Sequence, residues 1–135
     1  MTESHKEFLK GRTILLVDDD DDFRFQLRMP LEAAGCKVLE ADTADDAREM
    51  LTANKPDLAV VDLMMEEVDA GFTLCYHIKK NHPNVPVVLV TGVASETGIA
   101  FGSETREERS WVKADALLNK PIRFEQLRKE IERLL

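Results

Sequence analysis

Four stretches of almost unbroken aliphatic residues divide this chain: Ile14-Leu15-Leu16-Val17, Leu58-Ala59-Val60-Val61, Val87-Val88-Leu89-Val90 and Ala116-Leu117-Leu118. Runs of this length without polar alternation predict strands buried on both faces of a parallel sheet. We place strands over Thr13 to Val17, Lys37 to Glu40, Leu58 to Val61, Val87 to Val90 and Ala116 to Leu118. The second is polar at both ends, which suits an edge.

Between the strands the apolar positions recur at helical spacing. Phe23, Leu27, Leu31 and Ala34 mark a first helix, with Gly35 where a C-cap glycine belongs and Pro30 expected to kink it or leave a local irregularity. Ala44, Ala47 and Leu51 mark a second helix, and Phe72, Cys75 and Ile78 a third. Phe124, Leu127, Ile131 and Leu134 mark the last. The connection Ala94 to Asp115 is less regular. Gly98 and Gly102 break its first half, and a fourth helix is expected after Thr105, which forms a capping-box pattern with Glu108 ahead of Trp111 and Val112. The strict alternation implies an α/β fold with a doubly wound parallel sheet. Ligand chemistry in such folds gathers at the carboxyl ends of the strands.

Those ends carry the polar residues that break the pattern. Asp18-Asp19 follow the first strand, Asp62 the third, Thr91 the fourth and Lys120 the fifth. The first pair opens a run of five aspartates, Asp18 to Asp22. Carboxylates ~4 Å apart repel by roughly 4 kcal/mol at the effective dielectric near a protein surface, so a hard divalent cation with oxygen ligands is the expected counter-charge. Asp20 to Asp22 are read instead as the cap and first turn of the following helix. Together the strand ends describe a Mg²⁺ site beside an exposed nucleophile. Asp62 would form an aspartyl phosphate, Lys120 and the metal would neutralise charge, and the Thr91 hydroxyl would hold a phosphoryl oxygen.

Composition narrows the alternatives. A net charge of −8 across 135 residues opposes nucleic acid or an anionic membrane as the main partner, and 44% hydrophobic content suits one globular domain. No run approaches the ~18 apolar residues of a membrane span, so a cytoplasmic protein is expected. Cys36 and Cys75 lack metal-ligand spacing and are read as reduced, partly buried thiols. His5, His77 and His82 are read as surface or packing residues.

These residues resemble the CheY-like receiver domains of response regulators in bacterial two-component signalling. Ile14 to Asp19 is similar to their acidic-pair strand, Pro56 to Met65 to their phosphoacceptor segment, Val87 to Gly92 to their switch-threonine strand, and Asn119-Lys120-Pro121 to their lysine-proline signature. The resemblance covers residues 12–135 and leaves 1–11 as an N-terminal extension. It implies a flavodoxin-like sheet of order 2-1-3-4-5 with five helices. It also implies Mg²⁺ held by Asp19 directly, by Asp18 through water, by Asp62 and by the backbone carbonyl of Met64, with phosphorylation on Asp62 and a cis Lys120-Pro121 peptide.

The implied phosphodonor is a histidine kinase or a histidine phosphotransfer protein. The chain would catalyse its own phosphoryl transfer and a slow autodephosphorylation. With no output domain after Leu135, it would signal to a downstream protein target by contact. Three features depart from the family pattern. Glu66 to Gly71 lacks the usual proline and is one residue longer, the stretch from Thr91 to Lys120 is longer, and Leu117 stands where an aromatic switch residue is common. Trp111 or Phe101 is the expected substitute. Apolar Met64 and Val93 flank the route of the hydrolytic water, so a long-lived phosphoryl group is expected, shortened by Met64→Asn and Val93→Glu.

Three other readings compete. An EF-hand-like loop at Asp18, Asp20 and Asp22 lacks its glycine and closing glutamate. A haloacid dehalogenase-type phosphohydrolase lacks the small residue after its second aspartate. A receiver-like module that binds without phosphorylation would not need the full polar set.

Overall fold

The computed structural model describes residues 9–63, 70–91 and 115–135. Strands β1 (Thr13–Val17), β2 (Lys37–Ala41), β3 (Leu58–Asp62), β4 (Val87–Thr91) and β5 (Ala116–Asn119) form one parallel sheet of order β2-β1-β3-β4-β5. Helices α1 (Asp21–Ala33), α2 (Ala44–Ala53), α3 (Ala70–Asn81) and α4 (Phe124–Leu134) connect or follow them. The expected helix after Thr105 lies outside the described residues, as do Gly98, Gly102, Phe101 and Trp111. The doubly wound α/β sheet expected from the alternation is the one observed, with β2 at an edge.

Strand periodicity sorts the core into two halves. Leu15 and Val17, Ala59 and Val61, and Val87 and Leu89 point to the side covered by α2 and α3, where they meet Ala47, Leu51, Leu74, Cys75 and Ile78. Ile14 and Leu16, Leu58 and Val60, and Val88 and Val90 point to the other side, against Leu27 and Leu31 of α1 and Leu127 and Ile131 of α4. Every residue of β3 and β4 is buried, as the unbroken aliphatic runs require.

Local chemistry sets the helix ends. The Asp20 carboxylate accepts from the backbone N–H of Asp22 at 3.0 Å and of Phe23 at 3.3 Å, which starts α1 directly after the acidic strand end. The Thr43 hydroxyl accepts from Asp46 N–H at 3.0 Å and starts α2. Helix α1 continues through Pro30 to Ala33. The proline removes one hydrogen bond in the last turn, while Leu27 and Leu31, both buried, hold the helix to the sheet on either side of it. Gly35 follows at φ +96°, the left-handed geometry of a C′ glycine. A Cβ there would lie 3.2 Å from the Lys10 Cα, so the same glycine admits the N-terminal segment.

That segment belongs to the core. Gly11 N–H donates to the Gly35 carbonyl at 2.9 Å, and Leu9 is buried on the α1/α4 side. Leu9 falls within the stretch read as an extension, yet it packs like the residues that follow.

Candidate functional site

Three polar side chains are buried among the described residues, and all three stand at carboxyl ends of strands: Asp18, Asp62 and Thr91. Strands β3 and β4 each run one residue beyond their aliphatic stretch, so that Asp62 and Thr91 are their last members. Backbone bonds fix the rim. Asp18 N–H donates to Ala41 O at 3.1 Å, Leu63 N–H to Val90 O at 2.8 Å, and Lys120 N–H to Thr91 O at 2.8 Å.

The order of the sheet places β1 beside β3, and this brings carboxylate oxygens of Asp18, Asp19 and Asp62 within 4.8 Å of one another. Asp19 is exposed, whereas Asp18 and Asp62 are buried. Asp18 Oδ1 accepts from Asp20 N–H at 2.8 Å. Asp18 Oδ2 forms an ion pair with Lys120 Nζ at 2.9 Å, but no aligned hydrogen bond reaches this buried oxygen. Lys120 also lies 3.9 Å from Asp62 Oδ2, so one ammonium spans two of the three acids. Three carboxylates, two of them buried, with oxygens within 4.8 Å of one another form a set of hard oxygen ligands that fits a divalent cation and suits neither a soft metal nor an apolar ligand.

The Lys120-Pro121 peptide is cis. The expected fourth ligand, the Met64 carbonyl, lies outside the described residues, as does Val93. Leu117 is partly buried and packs on the α2/α3 side of the core. The EF-hand reading fails on geometry, because the Asp20 carboxylate is engaged as the α1 cap and does not join Asp18.

Three residues at the site were not singled out from the sequence. The Phe23 ring, on the first turn of α1, faces Lys120 with Nζ 4.3 Å from its centroid. Arg24 donates to the Asp18 carbonyl and to Asp21, and its Nε reaches Glu40 Oε1 at 3.1 Å, tying the acidic strand end to β2. Burial opposes the Arg24 charge, but the carboxylates of Glu40 and Asp21 outweigh it and raise its pKa. Gly71 is the third. A Cβ there would lie 2.5 Å from the Asp62 carbonyl oxygen, so α3 begins in backbone contact with the end of β3. An aromatic after an acidic run and a glycine near a helix start were the available signals. Neither says what it touches.

Comparison with known proteins agrees with this geometry. The transcriptional regulatory protein GltR of Pseudomonas aeruginosa is 33% identical over 127 residues, covering 93% of this chain and 49% of the relative. This chain thus spans about half the length of that curated relative, and likewise of AfsQ1 from Streptomyces coelicolor, of which it covers 51%. Among solved structures, a CheY-like receiver domain protein from Methanospirillum hungatei superposes with a TM-score of 0.75 at 26% identity, covering 93% of this chain and 94% of the other. The signal receiver domain of a DNA-binding response regulator from Colwellia psychrerythraea gives 0.71 at 30% identity, covering 92% and 98%. A family model described as the response regulator receiver domain matches residues 14–132, and the chain belongs to that family.

Proposed function

We propose that this chain accepts a phosphoryl group on Asp62 from a phosphohistidine donor, in a Mg²⁺-dependent reaction, and signals through protein contacts that depend on that group. The convergence of Asp18, Asp19 and Asp62 within 4.8 Å, with Lys120 spanning two of them, carries this reading. A buried carboxylate flanked by positive charge suits attack on phosphorus, and phosphoryl transfer asks for little beyond positioning and charge neutralisation.

In the step itself an Asp62 carboxylate oxygen forms a bond to phosphorus as the phosphorus–nitrogen bond of the donor imidazole breaks. The electron pair leaves on that nitrogen. Lys120 holds the negative charge that gathers on the phosphoryl oxygens, and the Thr91 hydroxyl donates to one of them. Asp18, Asp19 and Asp62 would hold the magnesium, with the Met64 carbonyl as a further ligand. When bound, the ion supplies Lewis-acid neutralisation of the phosphoryl oxygens. Asp62 is buried at the end of β3, and the N–H of the next residue, Leu63, donates to the Val90 carbonyl.

The donor class follows from the family. Receiver domains take their phosphoryl group from a histidine kinase or a histidine phosphotransfer protein. Among the described residues no helix is long and apolar enough to cross a membrane. With a charge of −8, a protein surface is a better target for this chain than DNA.

The deciding experiment incubates the protein with a small phosphodonor and Mg²⁺ and measures its intact mass. A gain of one phosphoryl group, absent in Asp62→Ala and blocked by a chelator, is the expected result. An unchanged mass would replace this reading with that of a receiver-like module that binds its partner without phosphorylation.

A further inference from the structure

We infer that Phe23 is a positioning residue for Lys120, holding the ammonium over the acid pocket with the face of its ring. The inference rests on the proposed role of Lys120 in neutralising the phosphoryl group. Its observation is separate: Nζ lies 4.3 Å from the Phe23 centroid while it pairs with Asp18 at 2.9 Å and stands 3.9 Å from Asp62.

A lysine at a pocket mouth has two ways to lose effectiveness. Its four-carbon stem can swing the charge into solvent, and water on its open side screens the charge. The Lys120 side chain is 25% exposed, so both routes are open to it. An aromatic face attracts a cation through its quadrupole and occupies space that water would otherwise fill. The ring therefore adds a second hold on the ammonium beside that of the carboxylates, restricting its travel and lowering the polarity around it.

The local chain makes this coupling direct. Asp18 ends β1, Asp20 caps α1, and Phe23 stands one turn later, its own N–H held by the Asp20 carboxylate. Ring and acids are thus parts of one short segment, with Lys120 arriving from β5. Phe23 is also partly buried against the α1/α4 side of the core. Packing alone accounts for an apolar residue there. It does not require a ring face directed at the ammonium.

The test separates those roles. Phe23→Leu keeps an apolar side chain and removes the ring, whereas Phe23→Tyr keeps the ring. Phosphorylation by a small phosphodonor with Mg²⁺, followed by intact mass, should run roughly two- to tenfold slower in Phe23→Leu and close to the parent rate in Phe23→Tyr. In protein labelled with ¹³C at the lysine ε carbons, the Lys120 signal, assigned with Lys120→Arg, should be ring-shifted upfield in the parent and in Phe23→Tyr, and unshifted in Phe23→Leu. If Phe23→Leu does not fold, Phe23→Met takes its place in both measurements.

Equal rates in the parent and Phe23→Leu would overturn the inference and leave the phosphoacceptor reading standing. Equal slowing in the Leu and Tyr variants, or no ring shift in the parent, would also overturn it in favour of packing. No mass gain in the parent would overturn the phosphoacceptor reading, and the rate role of Phe23 with it.

Discussion

Gly71 and Leu63 meet so closely that a Cβ on the glycine would lie 2.5 Å from the Cα of Leu63. Both contacts at this distance, the other being the Asp62 carbonyl oxygen, are with backbone, so no side chain can turn aside to relieve them. Gly71→Ala should push α3 away from the end of β3 and cost about 1–3 kcal/mol, as overpacking does elsewhere. Urea denaturation checks the stability. Because the displaced backbone is that of Asp62, phosphorylation should slow as well, which intact mass against time would record.

Magnesium should stabilise the fold by binding where carboxylates repel. At a concentration 100-fold above its dissociation constant a ligand that binds only the folded state adds about 2.7 kcal/mol. Thermal unfolding with and without Mg²⁺ should therefore show a rise in midpoint, abolished by EDTA. Asp19→Asn should weaken the effect strongly while costing little stability without metal, since Asp19 is exposed and its charge opposes its neighbours.

Asp115 anchors the start of β5. Its Oδ2 accepts from Val87 N–H at 2.8 Å and pairs with Lys79 Nζ at 3.0 Å. The backbone bond outweighs the ion pair, because Val87 is buried and its N–H would be left without that acceptor, whereas the ion pair is partly exposed. Asp115→Ala should cost about 1–3 kcal/mol and Lys79→Met under ~1 kcal/mol, measured by denaturant midpoints.

The two thiols make stability fall in alkali. Burial, reinforced by the charge of Asp57 and opposed by Arg12, raises Cys36 from 9.0 to about 11. Burial, reinforced by Asp115 and opposed by Lys79, raises Cys75 from 9.0 to about 11. The folded chain then keeps protons that the unfolded chain gives up, so the thiol contribution is complete below pH 9 and is lost as the pH rises towards 11. Replacing both cysteines by alanine should flatten the loss of urea midpoint as the pH rises from 9.0 to about 11. Folded parent protein should resist thiol reagents at pH 8, where an ordinary thiol reacts.

Strands were the most legible part of the fold, because a parallel sheet covered on both faces leaves an unbroken aliphatic signature. Their ends were read one residue short at Asp62 and Thr91, since an apolar pattern stops where the polar chemistry begins. Asp18, Asp19, Asp62 and Lys120 could be named because topology alone delivers strand ends to one rim. Phe23, Arg24 and Gly71 could not, since each acts through a tertiary approach of side chain or backbone that no spacing along the chain encodes. Leu9 was missed for a related reason. It is half of a short apolar pair among charged neighbours, and it enters the core through the Gly11–Gly35 bond between segments far apart in sequence. Pro30 lies inside the helix, where its lost hydrogen bond weighs less than the burial of Leu27 and Leu31 on either side.

Lys120 also enters the charge balance of the pocket. Three carboxylates and one ammonium sum to a formal charge of −2. One divalent ion brings that sum to zero, a monovalent ion leaves an excess negative charge, and a trivalent ion overshoots. Converting Lys120 to methionine would shift the point of neutrality to a triply charged ion, so the proposed pocket should then favour a higher cation charge.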